Sequence, residues 1–176
     1  MSIFQVDQCA DSKELVDSCA SEGHAEVHRF PKRLRGHQDP DVLNAVLPRG
    51  HTLVTTDRDI HTEYAKHFPT SHAGVVIVAT NSVAGTLTTR RVMRILAEFK
   101  RIFPDWHRVS LQNSVIEVTE DGVQVWRVAG GRMERSVYLE FRVADWSMSL
   151  VRALQQNAQV SVIGDNPSET SDSCGG

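Results

Sequence analysis

Ala73-Gly74-Val75-Val76-Ile77-Val78-Ala79 places four β-branched residues in a row after a glycine. A strand with one wet face alternates apolar and polar residues, and this one does not. It reads as a strand buried on both faces, the usual position inside a parallel sheet. Working outward, His51-Thr52-Leu53-Val54-Thr55 and Ile3-Phe4-Gln5-Val6 also have strand character, and Ala25 to Phe30 is a further strand candidate. Helical patterns separate them. Asp11-Ser12-Lys13-Glu14 has the form of a capping box, followed by Leu15, Val16, Cys19 and Ala20 at helical spacing and Gly23 as a stop. Asp39-Pro40-Asp41 opens a second helix, with Asp39 as N-cap, Pro40 at the first helical position, and Val42, Leu43, Val46 and Leu47 turned inward. Thr56 to Asp59 leads into a short third helix, for which Thr56 or Asp57 is a candidate cap. Leu87 to Phe103 is the longest helical pattern, with Val92, Ile95, Leu96, Phe99 and Phe103 on one side and Arg90, Arg94 and Arg101 on the other.

Beyond that helix, Val109 to Leu111, Val115 to Val118 and Val123 to Val128 read as strands, with Glu120-Asp121-Gly122 as a hairpin turn. Gly130-Gly131 reads as a turn. A strand near Val137 to Val143 and a helix from Asp145 or Trp146 to Gln156 complete the pattern. Strands that alternate with helices and end in a hairpin define an α/β fold with a mostly parallel sheet, plus a C-terminal hairpin and helix.

Composition narrows the function classes. The 176 residues, 40 % hydrophobic and 23 % charged, suit a globular domain with a real core, about 70 % of the unfolded surface being buried at this size. The net charge of −3 is that of the stretch from Gly164 on, which holds Asp165, Glu169 and Asp172 and no Lys or Arg. The remainder is neutral, which argues against non-specific nucleic-acid coating but allows a local basic groove. No spanning helix or signal peptide is legible, so a cytoplasmic protein with no membrane partner is expected. Three scattered cysteines give neither a disulfide framework nor a zinc site, and the eight histidines show no ligand spacing on a helix. No Gly-rich phosphate loop or nucleophile elbow is present.

Parallel sheets carry their working residues at the C-terminal ends of strands, near a topological switch. Asp7 ends the first strand. Thr55 ends the third, with Thr56, Asp57 and Asp59 directly after it, and Asp39 starts a helix after a loop leaving the second. Four carboxylates converging at one edge repel one another and need a cation, and oxygen ligands suit Mg²⁺ or Mn²⁺. Metal-assisted hydrolysis of a phosphodiester fits that chemistry. Each acid alone also fits a helix cap or a solvated loop.

The segments Phe4-Gln5-Val6-Asp7, Gly23-His24-Ala25-Glu26-Val27, Leu34-Arg35-Gly36, Asp39-Pro40-Asp41-Val42-Leu43, Leu53-Val54-Thr55-Thr56-Asp57-Arg58-Asp59-Ile60 and His72-Ala73-Gly74-Val75-Val76 together resemble the PIN-like domain families. These are related to PIN-domain nucleases and to the toxin ribonucleases of toxin–antitoxin pairs. Leu-Val-Thr-x-Asp-x-Asp is the most specific element. The resemblance runs in register over about residues 3–79, continues to about 129, and implies a three-layer α/β/α fold with a PIN-like domain over residues 1–129; the unmatched 130–163 is read as a C-terminal extension, and the composition of 164–176 as a disordered tail. The resemblance also implies catalytic and metal-holding roles for Asp7, Asp39, Asp57 and Asp59, a place for Thr55 in the catalytic site, Mg or Mn as cofactor, and RNA as substrate; the hydroxyl that orients a carboxylate or water is that of Thr55 or Thr56. Cys9 stands where the family's first motif usually has an amide.

Two basic clusters, one with Lys32, Arg33 and Arg35 and one with Arg90 and Arg94, are candidate RNA-backbone contacts, or else solvated surface. The expectation is a metal-dependent ribonuclease of PIN-like type, with an antitoxin protein and self-association as further partner expectations. The rival is a catalytically silent PIN-like module that binds a protein or RNA, a reading that Cys9 and the unmatched segment 132–158 favour.

Overall fold

Why Val75–Val78 carries no polar residue is plain in the computed structural model, which describes residues 3–7, 16–17, 26–79, 94–95, 97–99, 101, 103 and 109–159: all four residues are buried, in the middle of the sheet. The strands are β1 (Ile3–Val6), β2 (Glu26–His28), β3 (His51–Thr55), β4 (Val75–Val78), β5 (Ser114–Val118), β6 (Gly122–Ala129) and β7 (Arg132–Glu140). They lie in the order β2-β1-β3-β4-β5-β6-β7. The first five in that order are parallel, whereas β6 runs antiparallel to β5 and β7 antiparallel to β6. The fold is therefore α/β, with a mostly parallel mixed sheet.

Helices α1 (Asp39–Val46), α2 (Ile60–Glu63) and α3 (Trp146–Gln159) pack on this sheet. The pleat sorts side chains between two cores. Phe4, Val6, Val54, Val76, Val78, Ile116, Val118, Val123 and Val125 face Trp146, Leu150 and Leu154 of α3, together with Ile95 and Phe99. Leu53, Val75, Ile77 and Val115 face Val42, Leu43 and Val46 of α1 and Ile60 of α2. An isolated eight-residue helix such as α1 does not persist in water; burial of its apolar side chains, at about 2 kcal/mol each, holds it in place. Among the described residues no helix is long and apolar enough to cross a membrane.

Several local expectations shift. The N-cap residue of α1 is Gln38, and its carbonyl accepts the Asp41 and Val42 amides at 3.0 and 3.3 Å, so Asp39 lies inside the first turn. The N-cap of α2 is Asp59, not Thr56 or Asp57. Residues 109–111 form no strand. Gly74, at φ +107°, passes so close that a Cβ there would lie 2.5 Å from the Leu111 Cβ and carbonyl oxygen. The chain then turns through Asn113 at φ +57°, a conformation asparagine tolerates better than most residues. Gly130 and Gly131, at φ +57° and +76°, form the two-residue turn that a tight hairpin requires. Because Ala129 pairs with Arg132 across that turn, β7 starts five residues before the expected Val137. The expected helix over 11–22 lies outside the described residues apart from the helical Val16 and Asp17. Cys9, Arg90, the tail from Gly164 and most of 87–103 also lie outside them.

Candidate functional site

The chain leaves β1 for β2 on one side, then returns to place β3 on the other side of β1. The C-terminal ends of β1 and β3 thus flank a topological switch point, where diverging loops open a crevice. Asp7 lies just beyond β1. Its N–H donates to the Val54 carbonyl at 2.8 Å, which carries the β1–β3 ladder one residue further and sets Asp7 beside Thr55. The Thr55 hydroxyl donates to Asp7 Oδ2 at 2.8 Å. That hydroxyl oxygen also accepts the Asp57 N–H at 3.0 Å, and Asp57 Oδ1 accepts the Asp59 N–H at 3.0 Å. Asp7 is 4 % exposed and Thr55 fully buried.

Local chemistry explains this chain of bonds. Threonine is β-branched and so ends a strand readily, while its hydroxyl can serve the amide two residues on. Asp57 repeats the device with a carboxylate, making an Asx turn that starts α2. Asp59 follows as an exposed residue whose carbonyl, not its side chain, accepts the Thr62 and Glu63 amides at 3.0 and 2.9 Å.

The structure therefore links Asp7, Thr55, Asp57 and Asp59 through consecutive hydrogen bonds at one strand edge. Asp39 begins α1, but its side chain lies outside the described residues. Among the described residues no group of three or more His, Cys, Asp or Glu side chains is placed to hold a metal ion. Arg33 and Arg35 are exposed on the loop that leaves the C-terminal end of β2, beside β1. Arg94 is exposed and forms an ion pair with Glu120 in the β5–β6 turn. Arg90 lies outside the described residues.

Two further neighbours border the site, of which Glu117 escaped the sequence reading and His61 was read there only as one of the histidines without ligand spacing. Thr55 pairs with Ile77 and Ile77 with Glu117, so Glu117 occupies the same cross-strand row on the same face of the sheet. It is buried, and Arg58 Nε and Nη2 each reach its Oε1 at 2.7 Å. The available signal was a lone acid inside Val115-Ile116-Glu117-Val118. His61 on α2 is also buried, with its ring centroid 4.2 Å from that of Trp126. Burial holds its pKa below the ordinary imidazole value, against the pull of Asp59, the Arg58 backbone and Asp57.

Chemically, this edge offers carboxylate and hydroxyl oxygens, the hard donors that suit Mg²⁺ or Mn²⁺. Exposed Arg33 and Arg35 put positive charge on the adjoining loop. No protein-family model matches the chain, and no match appears among curated proteins or solved structures.

Proposed function

We propose that the chain is a metal-dependent ribonuclease of PIN-like type, with its site in the crevice between β1 and β3. The observation that carries this reading is the Thr55 hydroxyl, which joins the buried Asp7 carboxylate to the Asp57 turn at the switch point. Burying a carboxylate is costly. A site that needs a preset anionic oxygen gives that cost a purpose, and a crevice at strand ends is where such a site belongs.

The donor types, though not the present spacing of the described acids, fit a hard divalent cation, so direct ligation would require the Asp57 turn to draw closer to Asp7. Asp7, Asp57 and Asp59 would hold the cation, directly or through water, with Asp39 as the fourth acid. When bound, Mg²⁺ or Mn²⁺ would neutralise the scissile phosphate and make water a better nucleophile. The residues of the chain supply the rest. Thr55 fixes which way the Asp7 carboxylate points, and the Asp57 turn holds the following acid. Arg33 and Arg35 would position the RNA backbone by phosphate contacts. In this reading the protein works as the toxin half of a toxin–antitoxin pair, with the antitoxin as its protein partner.

A silent PIN-like binding module is the second reading. The Arg58–Glu117 pair favours it, because a cationic side chain is already built into the acidic edge. RNA cleavage separates the two. Incubation of the protein with a mixed-sequence RNA should give products with Mg²⁺ or Mn²⁺ and none in chelator or with Asp57→Asn. Cleavage that survives either treatment would exclude this mechanism, and metal binding without cleavage would select the silent module.

A further inference from the structure

We infer that Glu117 is a positioning residue for the turn that carries Asp57 and Asp59, acting through Arg58. Its functional consequence rests on the reading proposed above. Arg58 stands between the two acids in sequence, so whatever fixes Arg58 restricts both. Its guanidinium places two nitrogens, each at 2.7 Å, on one oxygen of Glu117. The Glu117 side chain is only 10 % exposed, whereas that of Arg58 is 51 % exposed. The anchor is therefore the buried member, fixed in β5, and the strap is the surface member.

The strap spans two strand spacings, about 9.6 Å, from β3 across β4 to β5. Thr55, Ile77 and Glu117 share one row, so the tie joins the turn that follows β3 to a residue two strands away from Thr55. At its near end the turn is held by short-range bonds, among them those from the Asp57 amide to Thr55 and from the Asp59 amide to Asp57. The long-range tie to β5 gives that turn a fixed place over the sheet. An arginine is suited to this task because its planar fork engages a carboxylate with defined geometry, unlike the single charge of lysine.

Replacing Glu117 tests the inference without endangering the fold. Glu117→Leu puts an apolar group on an apolar sheet face and leaves the half-exposed Arg58 free to hydrate, so the melting temperature should hold or rise. Backbone amide exchange by NMR, without metal, should nevertheless accelerate at Asp57 and Asp59 by about tenfold, with Glu117→Gln in between. Titration with Mn²⁺ should show affinity weakened by about tenfold in Glu117→Leu, as expected when a residue that orients metal ligands is removed. Unchanged exchange at both amides, or acceleration spread over the whole sheet with a lower melting temperature, would overturn the inference. So would a loosened turn with undiminished Mn²⁺ affinity. If the turn loosens but the wild-type protein binds no Mn²⁺, the strap stands and the metal reading falls.

Discussion

Lowering the pH should destabilise this protein through His72. The ring is buried at the end of the sheet opposite the acidic crevice, and both nitrogens are used: Nε2–H donates to the Val128 carbonyl at 2.6 Å, and Nδ1 accepts the Gly74 N–H at 3.0 Å. A second proton on Nδ1 would face that N–H and break the bond. Burial pushes the His72 pKa down to about 4, with the Val128 carbonyl pulling the other way. The unfolded chain titrates near 6.5, so the unfolded state takes up a proton first. The contribution is fully present above pH 6.5 and is lost as the pH falls from there towards 4. The loss is about 2 kcal/mol between pH 8 and pH 5, and about 3 kcal/mol at the acid limit. Urea unfolding of wild type and His72→Gln at both pH values isolates it, because the carboxylates and His61, whose pKa burial also lowers, are common to the two proteins. The variant should be less stable at pH 8 yet lose about 2 kcal/mol less on acidification. An identical pH dependence in the two proteins would refute the argument.

Three other outcomes follow from the geometry. Gly74→Ala should cost about 3 kcal/mol or more in urea unfolding, since it combines a left-handed backbone with a 2.5 Å clash against Leu111; a loss below about 1 kcal/mol would contradict the packing described. Thr55→Val should cost about 2–3 kcal/mol, whereas Thr55→Ser should stay near wild type, because only the serine keeps a hydroxyl between Asp7 and Asp57; equal stability of the two variants would show that the hydroxyl is dispensable. Changing Arg33 and Arg35 to Ala should weaken RNA binding and flatten its salt dependence by about 0.7 in log–log slope for each phosphate no longer neutralised, and an unchanged slope would remove that loop from the interface.

What was legible in the chain was mostly local. The Val75–Val78 run announced a buried strand because no polar residue interrupted it, and Thr55-Thr56-Asp57 announced a strand ending in a turn because hydroxyl and carboxylate side chains serve nearby amides. Gly130-Gly131 was legible as a turn, but the start of β7 was not, because Arg132 to Ser136 is too polar to look like a strand until β6 is there to pair with it. Residues 109–111 have strand composition, yet their close approach to Gly74 depends on tertiary position alone. Glu117 escaped, and His72 was legible only as a structural histidine without its partners, for a related reason. Their partners, Arg58 and Val128, are 59 and 56 residues away in sequence, so no spacing rule could join them. The segment 132–158 matched no known pattern, but β7 extends the same sheet and α3 packs on its face.

Calorimetric titration of Mn²⁺ into wild type, Asp7→Asn and Asp57→Asn tests most directly whether the β1–β3 crevice is a cation site. The account predicts binding to the wild-type protein that is abolished or weakened by at least about tenfold in both variants, because each removes a charged oxygen ligand while keeping the side-chain shape. Wild-type protein that takes up no Mn²⁺, or variants that bind it as tightly as wild type, would contradict the account.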